Sequence, residues 1–208
     1  MTRLGRPARL AAAVALLGGF GATAAQGEPA ARPLRPCGLV LGASVVGSAY
    51  VVRSRFEGSE AIAEDALATP AGLPARLARL GRTGGCRVDL VVPVTAKGLQ
   101  EGPLEVISSA SVYVATAGAR AAFAYAARSL VPAGYGSLAL AFGLADEARE
   151  WVRLGSSGDG AMLVYLLLWR DRNVVASLLV VGRVGVVSAG TLEPLARPQE
   201  LSIRSALA

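Results

Sequence analysis

The stretch AMLVYLLLWRDRNVVASLLVVG, residues 161–182, places two apolar runs on either side of a short polar break. Each run has the length of one β-strand and is rich in Val and Leu, and neither reaches the roughly 20 apolar residues of a membrane-spanning helix. Because the break at 170–173 (RDRN) is charged, we expect it to stay in water. The stretch therefore predicts an antiparallel hairpin, about 161–169 paired with 173–182, at the centre of a buried sheet.

The segments around this hairpin alternate between strand-like and helix-like patterns. Residues 86–93 and 105–115 alternate apolar and polar side chains, as half-buried strands do. Three segments space their apolar residues as amphipathic helices do, at about 70–80, 116–130 and 191–206. Adjacent strands interrupted by helices favour an α+β fold with a mostly antiparallel sheet packed by those helices.

Finer expectations concern the less regular parts of the chain. We expect a strand at 48–53, a helix at 59–67, and a strand that begins at Glu150 and leads towards the hairpin. Pro198 lies within the pattern of the last helix, and we expect it to kink or shorten that helix because proline removes a backbone donor.

The N-terminus has the layout of a secretory signal peptide over residues 1–25. Three arginines and no acid precede an apolar segment at 10–20, and Ala22-Thr23-Ala24 supplies the small residues of a cleavage site. The apolar segment is short for a membrane span, so an uncleaved anchor is the weaker alternative. We expect cleavage near Ala24–Gln26 and a secreted or extracytoplasmic protein without a transmembrane helix after cleavage.

The exported chain would comprise a Pro-rich linker at 26–37 and a single α+β domain at 38–208. Its two cysteines, Cys37 and Cys86, are expected to form a disulfide because disulfides persist outside the cytoplasm. The alternative is a pair of free thiols.

The amino-acid composition excludes several kinds of catalytic and metal-binding site. The chain contains no histidine, which excludes Ser-His-Asp and Cys-His nucleophiles and histidine-liganded metals. Two cysteines cannot build a four-thiolate zinc site. We expect no cofactor and no metal site, and the chemistry left open is that of carboxylates, lysine or calcium.

Nucleic-acid binding is not expected either. The formal net charge is +6, but without the three signal arginines 18 basic residues face 15 acidic ones. The remaining arginines are scattered, and only 5% of residues are aromatic. Binding to nucleic acid would favour a basic stripe with stacking rings among the charges.

Few residues are candidates for a functional site. Asp146, Glu147 and Glu150 could form paired carboxylates or a cation site, but nearby arginines favour a solvated charged ladder. Trp151 and Trp169 could line a ligand pocket, or they could belong to the core or its rim. Lys97, the one lysine of the chain, follows a predicted strand in a loop, where functional residues often lie.

The segment LADEAR at 144–149, followed by the hairpin with Trp169-Arg170 and a terminal helix, resembles a known type of protein. It is similar to uncharacterised secreted α+β proteins of GC-rich bacteria, in which an LGDEA stretch precedes an apolar strand ending in Trp-Arg. Here Ala145 replaces the usual glycine. A more distant resemblance is to PsbP-type lipoprotein and thylakoid-lumen domains. Both imply a sheet packed by helices, and neither implies catalytic residues.

Two classes of function follow. The first hypothesis is an exported, non-catalytic module that binds a protein partner or a small ligand at the cell envelope or outside the cell. The alternative is an enzyme that uses carboxylates or Lys97. A further alternative is an envelope protein anchored by a retained signal segment.

Overall fold

The computed structural model describes residues 34–58, 72–93, 102–130, 134–157 and 160–208. The expected signal peptide, the helix expected at 59–67 and Lys97 lie outside these ranges, as does most of the linker.

Within the described ranges, seven strands form one antiparallel sheet. The strands are β1 (Val51–Glu57), β2 (Arg82–Val91), β3 (Glu105–Tyr113), β4 (Gly136–Leu138), β5 (Glu147–Ser157), β6 (Gly160–Asp171) and β7 (Val174–Arg183). Their spatial order is β1-β2-β3-β7-β6-β5-β4, so the β6–β7 hairpin lies in the middle of the sheet. The predicted α+β class with a central C-terminal hairpin is confirmed.

Four α-helices accompany the sheet in the same ranges. They are α1 (Ala43–Val46), α2 (Leu73–Arg79), α3 (Thr116–Leu130) and α4 (Glu193–Leu207), with 3₁₀ turns at Pro36–Gly38 and Ala189–Thr191. The last three helices correspond to the predicted ones. α3 and α4 cover opposite faces of the sheet, which we name the α3 face and the α4 face.

Both faces of the hairpin are buried, which explains its continuous apolar sequence. From β7, Ala176 and Leu178 lie in the core of the α4 face, while Val175 and Leu179 lie in the core of the α3 face. A strand covered on both sides has no solvent-facing side to carry polar residues. The two cores are therefore separate layers on either side of one sheet.

α4 is held to its face by polar contacts as well as apolar ones. Ser108 Oγ on β3 donates to Gln199 Oε1 at 2.8 Å, and Gln199 Nε2 donates to the carbonyl of Ser109 at 3.0 Å. Ser108 Oγ also accepts the backbone N–H of Leu41 at 3.0 Å. These bonds satisfy buried polar groups and fix α4 along the central strands.

The expectation that the charged break stays in water is wrong for most of it. Arg170 is only 2% exposed, and Asp171 and Asn173 are also buried, whereas Arg172 is exposed. Arg170 is compensated because Nη1 donates to Asp146 Oδ2 at 2.9 Å and Nη2 donates to Glu147 Oε1 at 2.8 Å. A buried guanidinium is tolerated when it is paired in this way.

Several boundaries differ from those expected, among them those of β2, which spans Arg82–Val91 rather than 86–93. β1 begins at Val51, β5 begins at Glu147 rather than Glu150, and α4 continues through Pro198. Pro198 has no backbone N–H, so the carbonyl of Pro194 lacks the helical hydrogen bond that it would otherwise accept. That loss does not end the helix, because Gln199 and Ile203 on its buried side remain packed against the sheet.

Cys37 and Cys86 form the disulfide bond that the sequence predicts, with their Cα atoms 4.9 Å apart. The bond joins the 3₁₀ turn at Pro36–Gly38 to β2. Leu39 and Leu41, which follow this turn, are buried in the core of the α4 face. The disulfide thus secures the N-terminal described segment against the sheet.

Removing this bond by the paired change Cys37→Ser and Cys86→Ser should lower the free energy of unfolding by about 4 kcal/mol, because the bond closes a long loop in the unfolded chain. Urea denaturation of the exported wild type and of the double variant measures the loss. A reducing agent should shift the wild type towards the variant and leave the variant unchanged. Equal denaturation midpoints without reductant would contradict the prediction.

Candidate functional site

A cleft of about 250 Å³ lies between the loop at 143–145 and the outer side of α4. Its walls are formed by Gly143, Leu144, Ala145, Arg197, Glu200, Leu201 and Arg204. We name it the α4 cleft. The helical spacing explains the helix wall, because residues 197, 201 and 204 follow one another at about one turn each and share one side of α4.

Trp169, which is fully buried, lies behind Glu200 on the helix wall of the α4 cleft. Its indole Nε1–H donates to Glu200 Oε2 at 2.8 Å, so the buried indole donor finds an acceptor on α4. The other carboxylate oxygen, Glu200 Oε1, accepts Arg204 Nε–H at 2.7 Å. Arg204 Nε also lies 3.4 Å from Asp171 Oδ2. Trp169, Glu200 and Arg204 therefore form a continuous chain from the core to the surface.

Glu200 is held in an unusual electrostatic position. Its burial raises the pKa of its carboxyl above the usual 4.5, and the nearby Asp171 charge raises the pKa further. The hydrogen bonds from Arg204 and Trp169 act in the opposite direction and lower the pKa. Within this cluster, Arg204 is the cation that compensates the buried carboxylate.

The two arginines of the α4 cleft differ in the donors that they leave open. Arg197 directs both Nε and Nη2 to Glu193 Oε1, the shorter bond being 2.9 Å, and lies over the ring of Phe142 at 5.6 Å. Arg204 uses Nε for its acidic partners, and its two Nη groups bond to no residue in the described ranges. Its side chain is 59% exposed. Arg204 thus presents a fixed guanidinium with an open outer edge.

The loop wall also offers donors. Among the residues that the structure describes, none accepts a hydrogen bond from the backbone N–H groups of 143–145. Ala145 has a φ of 55°, in the left-handed region that glycine adopts without steric cost.

The structure places the two candidate tryptophans on opposite faces. Trp169 belongs to the core of the α4 face and donates to Glu200 of the cleft, whereas Trp151 is buried in the core of the α3 face. They cannot share one pocket. Lys97 lies outside the described residues. The assignment of any of the three to ligand binding stays a prediction.

The acidic group at 146–150 does not gather into one site. Asp146 and Glu147 bind Arg170, and Glu147 also lies 3.3 Å from Arg120 on α3. Glu150 points to the opposite face, because Glu147 and Glu150 are three residues apart on a strand. A solvated ladder is therefore wrong for Glu150, which is 1% exposed.

Glu150 is the one acid of this group that is buried, and the sequence analysis did not predict its burial. It lies opposite Leu167 on β6 and Leu138 on β4, and its Oε1 has no hydrogen-bond partner. Burial raises the pKa of its carboxyl above the usual 4.5. The available signal was its position between Ala148 and Val152 on alternate residues of the strand, which predicts that it faces the same side as they do.

The change Glu150→Gln should stabilise the protein at neutral pH, because it removes a buried charge and keeps the shape of the side chain. Each unit by which the pKa is raised corresponds to about 1.4 kcal/mol. Below about pH 4.5 the carboxyl is protonated in both states, so the gain should vanish there, increase as pH rises, and level off above the raised pKa. Urea denaturation between about pH 4 and pH 8 measures this difference.

The matched control is Glu147→Gln, which removes a partner of buried Arg170 and should destabilise the protein at neutral pH. Unchanged or reduced stability of the Glu150→Gln variant at neutral pH would contradict the prediction.

Two further observations concern metal binding and membrane spans in the described ranges. In these parts of the chain, no three Cys, Asp or Glu side chains come together as ligands for a metal ion. No helix in them has the length and apolar character needed to cross a membrane.

Comparison with known proteins identifies a fold and no family. No family model matches the chain, and no curated protein matches its sequence. Among solved structures, the chain is similar to the crystal structure of the extracellular domain of PknH from Mycobacterium tuberculosis. The TM-score is 0.58 at 13% sequence identity, over 84% of this chain and 99% of that chain. At this identity the similarity shows a shared fold.

Proposed function

We propose that this protein is an exported, non-catalytic binding module that takes a small ligand in the α4 cleft. The observation that carries the proposal is Arg204, whose guanidinium is fixed by buried Glu200 while its outer edge stays open. Fixed donors of this kind favour binding, because little conformational freedom is lost when the ligand arrives. The backbone N–H groups of 143–145 on the facing wall also have no acceptor among the described residues.

Three observations support a location outside the cytoplasm. Residues 1–25 have the pattern of a signal peptide, Cys37 and Cys86 form a disulfide, and the fold is similar to that of an extracellular domain. Membership in the secreted α+β proteins of GC-rich bacteria, suggested by the LADEAR stretch, is part of the same proposal.

The lining of the α4 cleft supports binding rather than catalysis. Its side chains are aliphatic, arginine or glutamate, and they include no serine, cysteine or lysine nucleophile. Both oxygens of Glu200 already accept a hydrogen bond, which ties this carboxylate to a structural role. A general base would instead need an oxygen directed at the substrate.

Export should produce a processed and oxidised chain. When a bacterial host expresses the full sequence, the intact mass of the exported protein should correspond to a start near Ala25 or Gln26. Alkylation without reduction should leave that mass unchanged, because both cysteines are bonded. A full-length mass with two alkylatable thiols would contradict the proposed location.

Ligand binding should depend on the α4 cleft. Gly143 lines the cleft and has open space at its Cβ position, so Gly143→Trp should place a large side chain there without disturbing the core. We expect ligands found by saturation-transfer NMR in a library of small metabolites to lose binding to this variant by roughly tenfold or more.

The matched control is Gly155→Trp on β5, another glycine with open space at its Cβ position and outside the cleft. It should bind ligands as the wild type does. Ligands that bind both variants equally, or measurable turnover by the wild type on hydrolase or redox substrates, would overturn the proposal.

A further inference from the structure

We infer that the ligand of the α4 cleft is a small monocarboxylic acid with an apolar body, whose carboxylate binds the open edge of Arg204. This inference rests on the proposed function and names the chemical class of its ligand. The cleft holds about 250 Å³, slightly below the roughly 300–1,000 Å³ of pockets for drug-sized molecules, which favours a small ligand.

The geometry of the Arg204 donor groups fits a carboxylate. Trp169 bonds Glu200, and Glu200 bonds Arg204 at Nε, so the Nε side of the guanidinium is turned towards the protein and its Nη edge away from it. The two Nη groups at its outer edge then offer parallel N–H donors. Such an edge matches the two oxygens of a carboxylate, which can accept both bonds at once.

The charges around the α4 cleft fit a ligand with a single negative charge. Arg197 and Arg204 bring two positive charges to the cleft, while Glu193, Glu200 and Asp171 bring three negative charges within contact of them. Only Arg197, Arg204 and Glu200 among them line the cleft, so the lining carries one net positive charge, which fits a monoanion better than a dianion. An ammonium ligand would meet two guanidinium groups and a carboxylate whose oxygens are already bonded.

The apolar part of the lining fits an apolar ligand body. Leu201 on α4 is 67% exposed, and Leu144 forms part of the opposite wall. An apolar ligand body between these two side chains would bury Leu201 and gain the usual hydrophobic free energy. The cleft thus combines one polar anchor with two aliphatic contacts.

The test compares four probes of matched size or charge on the exported protein, namely hexanoate, hexan-1-ol, hexylamine and inorganic phosphate. Amide and Arg204 side-chain shifts in NMR titrations give the dissociation constants. Hexanoate should bind most tightly and shift the amides of 143–145. Its affinity should fall roughly ten- to hundredfold in Arg204→Gln, because charge-assisted hydrogen bonds are lost.

Two additional variants keep the test independent of folding. Arg204→Lys retains the charge and loses the two-donor edge, so it should also weaken hexanoate binding. Leu201→Ser changes an exposed side chain and should reduce the preference for hexanoate over acetate. Arg149→Gln, at an exposed arginine of β5 outside the cleft, is the matched control and should bind hexanoate normally.

Hexan-1-ol or hexylamine binding as tightly as hexanoate, phosphate binding more tightly, or full affinity in Arg204→Lys would each overturn the inference. If other ligands bind in a manner blocked by Gly143→Trp while hexanoate does not bind, the inference fails and the proposed function stands. If no ligand of any class perturbs the cleft, both fail.

Discussion

The burial of β6 and β7 on both faces is the constraint from which most of the structure follows. Two adjacent strands with apolar side chains on each side need cover from two directions, and α3 and α4 provide it. This cover places Trp169 under α4, where its indole donor would be costly to leave unbonded. Glu200 satisfies the indole, and Arg204 in turn compensates Glu200. The polar edge of the α4 cleft is thus a consequence of core packing.

The segment at 143–147 contributes both to the ion pairs around buried Arg170 and to the wall of the α4 cleft. Its second half, Asp146 and Glu147, compensates buried Arg170 at the hairpin turn. Its first half forms the loop wall of the α4 cleft. Because the ion pairs fix the position of the segment, the wall opposite α4 is held by contacts made at the end of β6. Glu150, three residues further along, has no comparable compensation.

The sequence predicted the parts of the structure that local pattern controls. Continuous apolar runs indicated the hairpin, helical spacing indicated α2, α3 and α4, and the expected compartment indicated the Cys37–Cys86 bond. The α4 cleft was not predicted. Its key pair, Trp169 and Glu200, is separated by 31 residues and meets only through packing of α4 on the sheet.

Charged residues were the main source of error. The break at 170–173 was expected in water because its local sequence is polar, but its compensating acids come from the start of β5. The spacing of Glu200 and Arg204, four residues apart on a helix, was an available signal for their ion pair. It gave no indication that the carboxylate would be buried, since burial depends on the sheet beneath.

The order of strands divides the sheet into two meanders, β1 to β3 and β4 to β7, which join only where β3 pairs with β7. Hydrogen bonds between Tyr113 and Asn173 and between the side chains of Ser109 and Ser177 connect the two meanders at this junction. The disulfide lies entirely on the first side of it. Oxidation therefore leaves the loop-closure entropy of joining the two meanders unchanged, and apolar pairing across the junction must overcome that entropy. The disulfide constrains only the first meander, while the pairing of the two meanders depends on noncovalent contacts.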